Sequence, residues 1–252
     1  GGFMRLVINK SMRGILSGML VAGCLSLPST ALAQETDFTD LDNEWQEFGE
    51  NEDPWERTNR AIFRFNDTVD RWTLKPLAKG YQAVTPDIVE DGVHNFFRNI
   101  GETSNLANNL LQFKLRDAGV DTARFFFNTT FGLLGVFDVA TKMGLQRNDE
   151  DFGQTLGAWG VKSGPYVVLP FLGPSTVRDA VALYPDSYTV PYRAINDVPV
   201  RNSMLALNIV DARASLLSSE RFIVGDRYRF VRNAFLQNRE FRVRDGNVVD
   251  DF

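Results

Sequence analysis

Cysteine and histidine are almost missing from the sequence. Cys24 and His94 are the only residues of their kinds among 252. One cysteine makes no intramolecular disulfide, so the fold must be held together by packing. One histidine leaves a metal site to carboxylates, and a Ser-His-Asp triad would have to use His94, which lies in an apolar helical pattern beside Phe96 and Phe97. We therefore expect no enzymatic activity, no metal site and no cofactor.

Long hydrophobic runs and an excess of positive charge are missing as well. After the N-terminal region, no segment has the roughly 20 unbroken apolar residues that a membrane-spanning helix needs. The net charge is −5, which argues against nucleic acid as a partner. The glycine-rich part contains neither a P-loop nor a dinucleotide-binding fingerprint. The sequence thus predicts neither a conventional membrane-spanning helix nor a nucleotide-binding protein.

The first 33 residues have the features of a secretory signal peptide. A short apolar run at 15–27 follows three basic residues, Arg5, Lys10 and Arg13. Residues 21–24, Val-Ala-Gly-Cys, are typical of a bacterial lipobox, in which Cys24 carries lipid. Residues 31–33, Ala-Leu-Ala, are typical of an ordinary signal-peptidase site. Cleavage before Cys24 and cleavage after Ala33 both stay open, and either predicts a mature chain outside the cytoplasm.

Three parts follow the signal region. Residues 34–53 carry nine acidic residues and no lysine or arginine, which predicts a disordered acidic linker. The alternative is a short amphipathic helix, because four large apolar residues recur there at helical spacing: Phe38, Leu41, Trp45 and Phe48. Residues 54–245 are expected to form the main domain, and residues 246–252 a short tail.

The main domain is predicted to be mainly α-helical. Apolar residues recur near helical spacing in 53–75, 85–99, 104–116, 117–141, 204–217 and 226–241. Asp53 is expected to cap the first helix, and the step from Lys75 to Pro76 is expected to end it. Five glycines and three prolines between 151 and 174 exclude a long helix there and predict a loop or a short hairpin.

A run rich in phenylalanine, FFFNTTFGLLGVFDVA, covers residues 125–140. Phe125, Phe126 and Phe127 point about 100° apart on a helix, so no single face can bury all three. The run is expected either in the protein core or against lipid, and these three residues are the candidates for membrane contact. A charged substitution there is expected to be poorly tolerated.

Uncharged amides form a stripe along the helical pattern at 104–116, beside an apolar stripe. Amides offer hydrogen-bond donors and acceptors without a fixed charge, so they suit the lining of a path for an amphipathic molecule. The lining candidates are Asn105, Asn108, Asn109 and Gln112, with Asn128 and Thr129 as competing candidates on the next helix. The alternative is a polar face packed on another helix or in water. Leucine at Asn108 and Asn109 is expected to leave the fold intact.

Several short motifs occur in order along the chain. They are Asp-Pro-Trp-Glu at 53–56, Asn-Arg at 59–60, Phe-Asn at 65–66, Arg-Phe-Phe-Phe-Asn-Thr at 124–129, Phe-Asp-Val-Ala at 137–140, Phe-Gly-Gln-Thr-Leu-Gly at 152–157 and Gly-Pro-Tyr-Val-Val-Leu-Pro at 164–170. In this combination they resemble the MlaA (VacJ) family of Gram-negative outer-membrane proteins, across residues 53–241.

The resemblance implies a single ring-like domain of amphipathic helices, embedded in the periplasmic-side leaflet of the outer membrane. It implies an amphipathic channel that removes phospholipids mislocalised to the outer leaflet and passes them to a soluble periplasmic carrier. Family members bind a trimeric porin and are typically lipoproteins, which would make Cys24 the lipid attachment site. The rival functions are a structural or assembly lipoprotein that tethers a porin, and a lipid hydrolase.

Overall fold

The computed structural model describes residues 53–223 and 225–247. Its helices are α1 (Glu56–Val69), α2 (Lys75–Val84), α3 (Asp87–Leu111), α4 (Leu115–Thr130), α5 (Val139–Lys142), α6 (Phe152–Ala158), α7 (Val177–Thr189), α8 (Val198–Ser215) and α9 (Arg227–Val243). Two short strands, β1 (Tyr166–Leu169) and β2 (Gly173–Thr176), pair as an antiparallel hairpin between α6 and α7. The mainly α-helical class and the hairpin in the glycine- and proline-rich segment are confirmed.

The elements contact one another in a closed order. From α1 the contacts run through the connecting segment Asp70–Leu74 to α2, then to α8, α3 and α7, and then through β1 back to α1. The pair of α3 and α4 is the most extensive packing, while α9 packs on α6 and β2. This order agrees with the predicted ring-like arrangement of helices. Within the described ranges, no helix is both long enough and apolar enough to cross a membrane.

The first helix begins three residues later than predicted. It begins at Glu56, and no side chain caps it. The buried carboxylate of Asp53 instead accepts hydrogen bonds from Asn59 Nδ2 at 2.7 Å and from the Tyr228 hydroxyl, and it lies 3.4 Å from Arg232 Nη1. The capping prediction is wrong because this carboxylate is bound by side chains of α1 and α9 rather than by the first N–H groups of the helix.

The predicted break at Lys75-Pro76 is replaced by a change of helix type. A π-helical segment, Asp70–Leu74, connects α1 to α2 without an intervening loop. Pro76 is the second residue of α2, directly after the π-helical segment, and the residues on its N-terminal side keep helical backbone angles. The chain therefore continues in helical form through a proline that the sequence marks as a stop.

Two stretches that the sequence predicts as separate helices form the single 25-residue helix α3. Gly101 lies between them, and a methyl group at that position would be 3.2 Å from Arg147 Nη2. The glycine therefore gives a neighbouring arginine room against the helix and does not interrupt it. In contrast, α4 ends at Thr130, because the chain from 131 to 138 forms turns rather than the helix predicted there.

Two asparagines of α1 hold the free edge of β1. Asn59 Nδ2 donates to the Tyr166 carbonyl at 3.0 Å, and Asn59 Oδ1 accepts from the Val168 N–H at 2.9 Å. Asn66 repeats the arrangement with the Leu169 carbonyl at 2.9 Å and the Phe171 N–H at 2.8 Å. Seven helical residues and three strand residues both cover about 10 Å, so the two spacings match. The two amides thus complete the hairpin as a third strand would.

We expect Asn59→Ala to lower the free energy of unfolding by about 2–4 kcal/mol, because it leaves buried backbone groups of β1 without partners. Asn66→Ala should cost less, because its hydrogen bonds are only partly buried. Denaturant unfolding in detergent micelles measures both. Equal losses for the two variants would contradict the idea that burial of the Asn59 amide secures the hairpin.

Candidate functional site

The described part of the chain has an inverted distribution of polarity. Polar and charged side chains outnumber apolar ones among its fully buried residues, and the largest of those buried side chains include Arg124, Glu102 and Asp121. Many large apolar side chains are instead exposed, such as Trp72 at 77% and Phe113 at 85%. A water-soluble domain normally buries its apolar side chains and exposes its charged ones. Exposed apolar patches of this extent mark a surface that is covered by a partner or a membrane.

A buried ion network joins α3, α4 and the turns that follow them. Arg124 Nε donates to Glu102 Oε1 at 2.8 Å, and both side chains are almost completely buried. Arg147 Nη1 lies 3.3 Å from the same Glu102 oxygen. Arg124 Nη1 also donates to the Leu145 carbonyl at 2.6 Å. The guanidinium therefore organises the segment after α4 as well as the α3–α4 contact.

Asp138 is the second carboxylate on the Arg124 guanidinium, at 3.1 Å from Nη2. It caps the short helix α5, since it accepts from the Thr141 N–H at 3.0 Å. Asn128 supports it with a 3.2 Å hydrogen bond and accepts from the Ala140 N–H at 2.9 Å. Burial disfavours the ionised carboxylate, but the hydrogen bonds from Thr141 and Arg124 outweigh that effect and lower the pKa of Asp138 to about 2.

The phenylalanine triplet lies between these inward-facing residues. Arg124 and Asn128 are one helical turn apart, so they share the buried face of α4. Phe125 and Phe126 point the other way and are 40% and 56% exposed, while Phe127 is half-buried and stacks on Phe131. The membrane-contact assignment of the triplet stays a prediction, and the exposed pair provides the apolar surface that it requires.

The six lining candidates lie mostly inside the polar interior. Asn105, Asn108, Asn109 and Asn128 are buried, and Gln112 and Thr129 are half-buried. Asn105 Nδ2 donates to Glu102, Asn108 Oδ1 accepts from Thr155, Asn109 Nδ2 donates to Asp121, and Gln112 Nε2 donates to Glu150 and Thr155. These amides therefore hold helices together, and their role in lining a lipid path stays a prediction.

Asp121 is a buried carboxylate within this interior. Asn109 Nδ2 donates to its Oδ2 at 2.7 Å. Burial, followed by repulsion from the Glu102 carboxylate, raises the pKa of Asp121 to about 6, although the Asn109 hydrogen bond favours the ionised form. A carboxylate with this pKa opposes folding at neutral pH.

We expect Asp121→Asn to stabilise the protein at pH 7.5 and to flatten its pH dependence. Because the folded-state pKa lies above the ordinary value of 3.8, the folded protein binds the proton more tightly. Its stability therefore falls as pH rises from about 4 to about 6, by up to about 3 kcal/mol in total. Unfolding in detergent from pH 4.5 to 8 measures this, with the exposed Asp91→Asn as the control. An unchanged pH slope in Asp121→Asn would contradict the assignment.

Four large apolar residues adopt a left-handed backbone conformation at exposed turns. Phe113, Leu133, Leu134 and Phe171 have φ values between 51° and 64°, and each is at least 66% exposed. This conformation is unfavourable for residues other than glycine, and it persists where the surrounding structure or function requires it. At all four positions the strained backbone presents an apolar side chain outward.

An apolar groove of about 550 Å³ lies between α3 and α8, next to the turn after α4. Its walls include Val89, Phe96, Val136, Phe137 and Leu207, and almost all of its lining is hydrocarbon. The lining has the chemistry for an acyl chain, because such pockets bind through buried apolar area rather than through hydrogen bonds.

Asp211 of α8 joins three helices, and one of its partners is His94, the only histidine of the chain. His94 Nδ1 of α3 lies 3.0 Å from Asp211 Oδ2 of α8, and the Tyr81 hydroxyl of α2 lies 3.4 Å from Asp211 Oδ1. Within the described ranges, no cluster of histidine, cysteine, aspartate and glutamate has the makings of a metal site. The lipid attachment candidate Cys24, both cleavage sites and the predicted linker 34–53, except for its last residue Asp53, lie outside the described residues.

These observations define a helical protein with charged groups inside and apolar groups outside. The model of the MlaA lipoprotein family matches residues 51–242, and the chain belongs to this family.

Named relatives agree with the family assignment. The chain is 30% identical over 245 residues to a Haemophilus influenzae protein named intermembrane phospholipid transport system lipoprotein MlaA. This alignment covers 95% of the present chain and 92% of the Haemophilus protein. It is 34% identical over 202 residues to the Escherichia coli K12 protein of the same name, with coverages of 78% and 80%. A solved structure described as the structural basis for maintenance of bacterial outer membrane lipid asymmetry superposes with a TM-score of 0.66 at 32% identity, over 76% of this chain and 98% of the other.

Proposed function

We propose that this protein removes mislocalised phospholipids from the outer leaflet of the outer membrane and passes them to a soluble periplasmic carrier. The observation that carries the proposal is the family match over residues 51–242, together with relatives named as phospholipid transport lipoproteins. The proposed process is passive transfer. It lowers the cost of moving a polar headgroup past hydrocarbon and involves no covalent step.

The distribution of polarity supports a position within the periplasmic-side leaflet. Exposed apolar side chains, including the four residues with left-handed backbone, would face lipid, where burial of each side chain is favourable by roughly 1.5–3 kcal/mol. The buried ion network would hold the helices together where water is scarce. An embedded rather than spanning position agrees with helices that are too short or too polar to cross a bilayer in the described part.

Both halves of a phospholipid would find suitable surfaces. The groove between α3 and α8 suits an acyl chain. The amides proposed as lining would serve a headgroup, and their half-buried members, Gln112 and Thr129, are the most accessible of the six. A trimeric outer-membrane porin and a soluble carrier are the proposed protein partners, with the carrier supplying the direction of transfer.

A deletion strain tests the function directly. Surface-exposed phospholipid should rise in the deletion and return to normal when the gene is restored, while the amount of porin stays constant. Native mass spectrometry of the membrane-extracted protein should show bound phospholipid and an associated porin. Normal lipid asymmetry in the deletion strain would contradict the proposal. Lost porin assembly would favour the tether, and lipid cleavage by the purified protein would favour a hydrolase.

We also propose that Cys24 is the lipid attachment site, on the strength of the Val-Ala-Gly-Cys motif at 21–24. Each buried methylene adds about 0.8 kcal/mol, so several acyl chains anchor a protein firmly. Mass spectrometry of the mature N-terminal peptide should show an acylated Cys24. An unmodified N-terminus at Gln34 would contradict this assignment.

A further inference from the structure

A second cavity, of about 790 Å³, lies apart from the apolar groove. The end of α6, the turn at 160–164, the start of α7 and one side of α9 enclose it. Its lining combines basic side chains with hydrocarbon, the first represented by Lys162, Arg178 and Arg239 and the second by Leu236 and Val243. A cavity of this size accepts a ligand of moderate size, and convergent polar groups in an apolar lining mark a binding site.

Two arginines form the base of this cavity and are fixed by aspartates behind them. Arg178 Nε and Arg239 Nη2 both donate to Asp179 Oδ1 at 2.9 Å. Arg239 Nη1 and Nη2 also donate to the two carboxylate oxygens of Asp151, at 2.5 and 2.6 Å. Because these guanidinium groups are already held in place, a ligand anion would bind them without having to order two long side chains.

The glycines of the 152–157 motif make room for these guanidinium groups. A methyl group at Gly153 would lie 2.2 Å from Arg239 Nη2, and one at Gly157 would lie 2.8 Å from Arg178 Nη1. Both arginines therefore lie directly against the backbone of α6. The same motif that identifies the segment in the sequence thus creates one wall of the cavity.

The rim of the cavity carries an excess of positive charge. At the base, the positive charges of the two arginines are balanced by the negative charges of Asp151 and Asp179. At the rim, Lys162 and Arg244 face a single acid, Glu240, which is paired with Arg244 at 2.6 Å. One positive charge, that of Lys162, is therefore in excess. A phosphodiester carries one negative charge, and its oxygens accept hydrogen bonds from guanidinium and ammonium groups.

We propose that this cavity binds the phosphodiester headgroup of a phospholipid, with the first part of the acyl chains against Leu236 and Val243. The inference rests on the proposed transport function and adds a headgroup site to it. The charge at Lys162 favours the phosphate, the arginines at the base orient it, and the hydrocarbon lining selects an amphiphile over a free phosphodiester.

Binding measurements on the full-length protein in detergent test the proposal. The probes are a short-chain phosphatidylglycerol, the matching diacylglycerol without phosphate, and the deacylated headgroup glycerophosphoglycerol. The wild type should bind phosphatidylglycerol at least tenfold more tightly than either of the others. Lys162→Glu should weaken that binding at least fivefold, whereas Lys142→Glu, on the exposed surface of α5, should not change it.

A second pair of variants compares a blocked cavity with an open one and breaks no buried contact. Gln237 is exposed and lines the cavity, so tryptophan at this position should fill the space and abolish phosphatidylglycerol binding. Tryptophan at the neighbouring exposed Asn238, outside the lining, is the matched control and should bind normally. Loss of binding in both variants would overturn the assignment, because it would show a nonspecific effect of the tryptophan on α9.

Three further results would overturn the assignment. The first is equal affinity for diacylglycerol and phosphatidylglycerol, which would show an apolar pocket only. The second is equal affinity for the deacylated headgroup, which would show a site for soluble phosphodiesters. The third is wild-type binding by Lys162→Glu. If lipid asymmetry depends on the protein while Lys162→Glu and Gln237→Trp bind like wild type, the cavity assignment alone fails. If deletion of the gene leaves asymmetry intact, the transport function itself fails.

Discussion

Replacing Arg124 by methionine should destabilise the protein by about 3–5 kcal/mol, because it leaves the buried Glu102 carboxylate without its main partner. The same change removes the cation beside Asp138 and the donor to the Leu145 carbonyl, so the segment after α4 should also lose order. Denaturant unfolding in detergent and the steady-state amount of protein in membranes both measure the effect.

Two comparisons separate charge from side-chain volume. Arg116→Met, on the exposed side of the same helix, should change stability by less than about 0.5 kcal/mol. Arg124→Met combined with Glu102→Gln should recover part of the loss, since the Glu102 carboxylate that would lose its main partner is then absent. A single Arg124→Met variant as stable as Arg116→Met would show that the network contributes nothing to folding.

Phe126→Asp should reduce the affinity of the protein for membranes, because an aspartate in the hydrocarbon region costs about 2–3 kcal/mol, or roughly 30- to 150-fold in partitioning. The measurement uses a chain exported with a non-lipoprotein signal peptide, so that an acyl anchor does not mask the effect. Resistance to carbonate extraction and the amount of surface-exposed phospholipid are the readouts.

Thr122→Asp is the matched control, since it adds the same charge to the exposed surface of α4 one turn before Phe126. Thr122→Asp should extract like wild type because it replaces a polar residue and removes no apolar side chain from the membrane-contact set, and Phe126→Leu should remain in the membrane. Membrane retention of Phe126→Asp equal to that of Thr122→Asp would show that the triplet is exposed to water and would remove it from the membrane-contact set.

Helix positions could be predicted from the sequence wherever one face of a segment is apolar. The segment 226–241 illustrates this, because its apolar spacing predicts a helix and the structure has α9 at Arg227–Val243. Predictions from the sequence were wrong where the role of a residue depends on a partner that is distant along the chain. Asp53 is bound by α9, and Gly101 serves packing against Arg147, so neither follows the local rule for its residue type.

The amide stripe was recognised from the sequence, but the partners of its members were not. Asn109 donates to Asp121 on the facing helix, and leucine there would remove this buried donor. The expectation that leucine at Asn108 and Asn109 leaves the fold intact stays untested, and the burial and hydrogen bonds of both amides argue against it. A signal was present at Arg124, which stands between Ala123 and the phenylalanine triplet, where a membrane-facing helix would carry no charge.

The headgroup cavity had no sequence signal of its own. Its base combines Arg178, Arg239 and Asp151 from three distant segments, and only the folded chain brings them together. The glycines at 153 and 157 were interpreted as breakers of a long helix. In the structure they belong to α6 and admit arginine side chains, a role that depends on neighbours rather than on local conformation.

The hydrogen bond from the Tyr228 hydroxyl to the Asp53 carboxylate constrains the order in which the chain can fold. It joins residues that are 175 positions apart, next to the hairpin that α1 completes. Contacts this distant in sequence form late, because a large loop must close before they are made. A chain that emerges N-terminus first therefore stays open until α9 is free, with its apolar outer surface uncovered, and such a chain needs protection from aggregation until it reaches lipid.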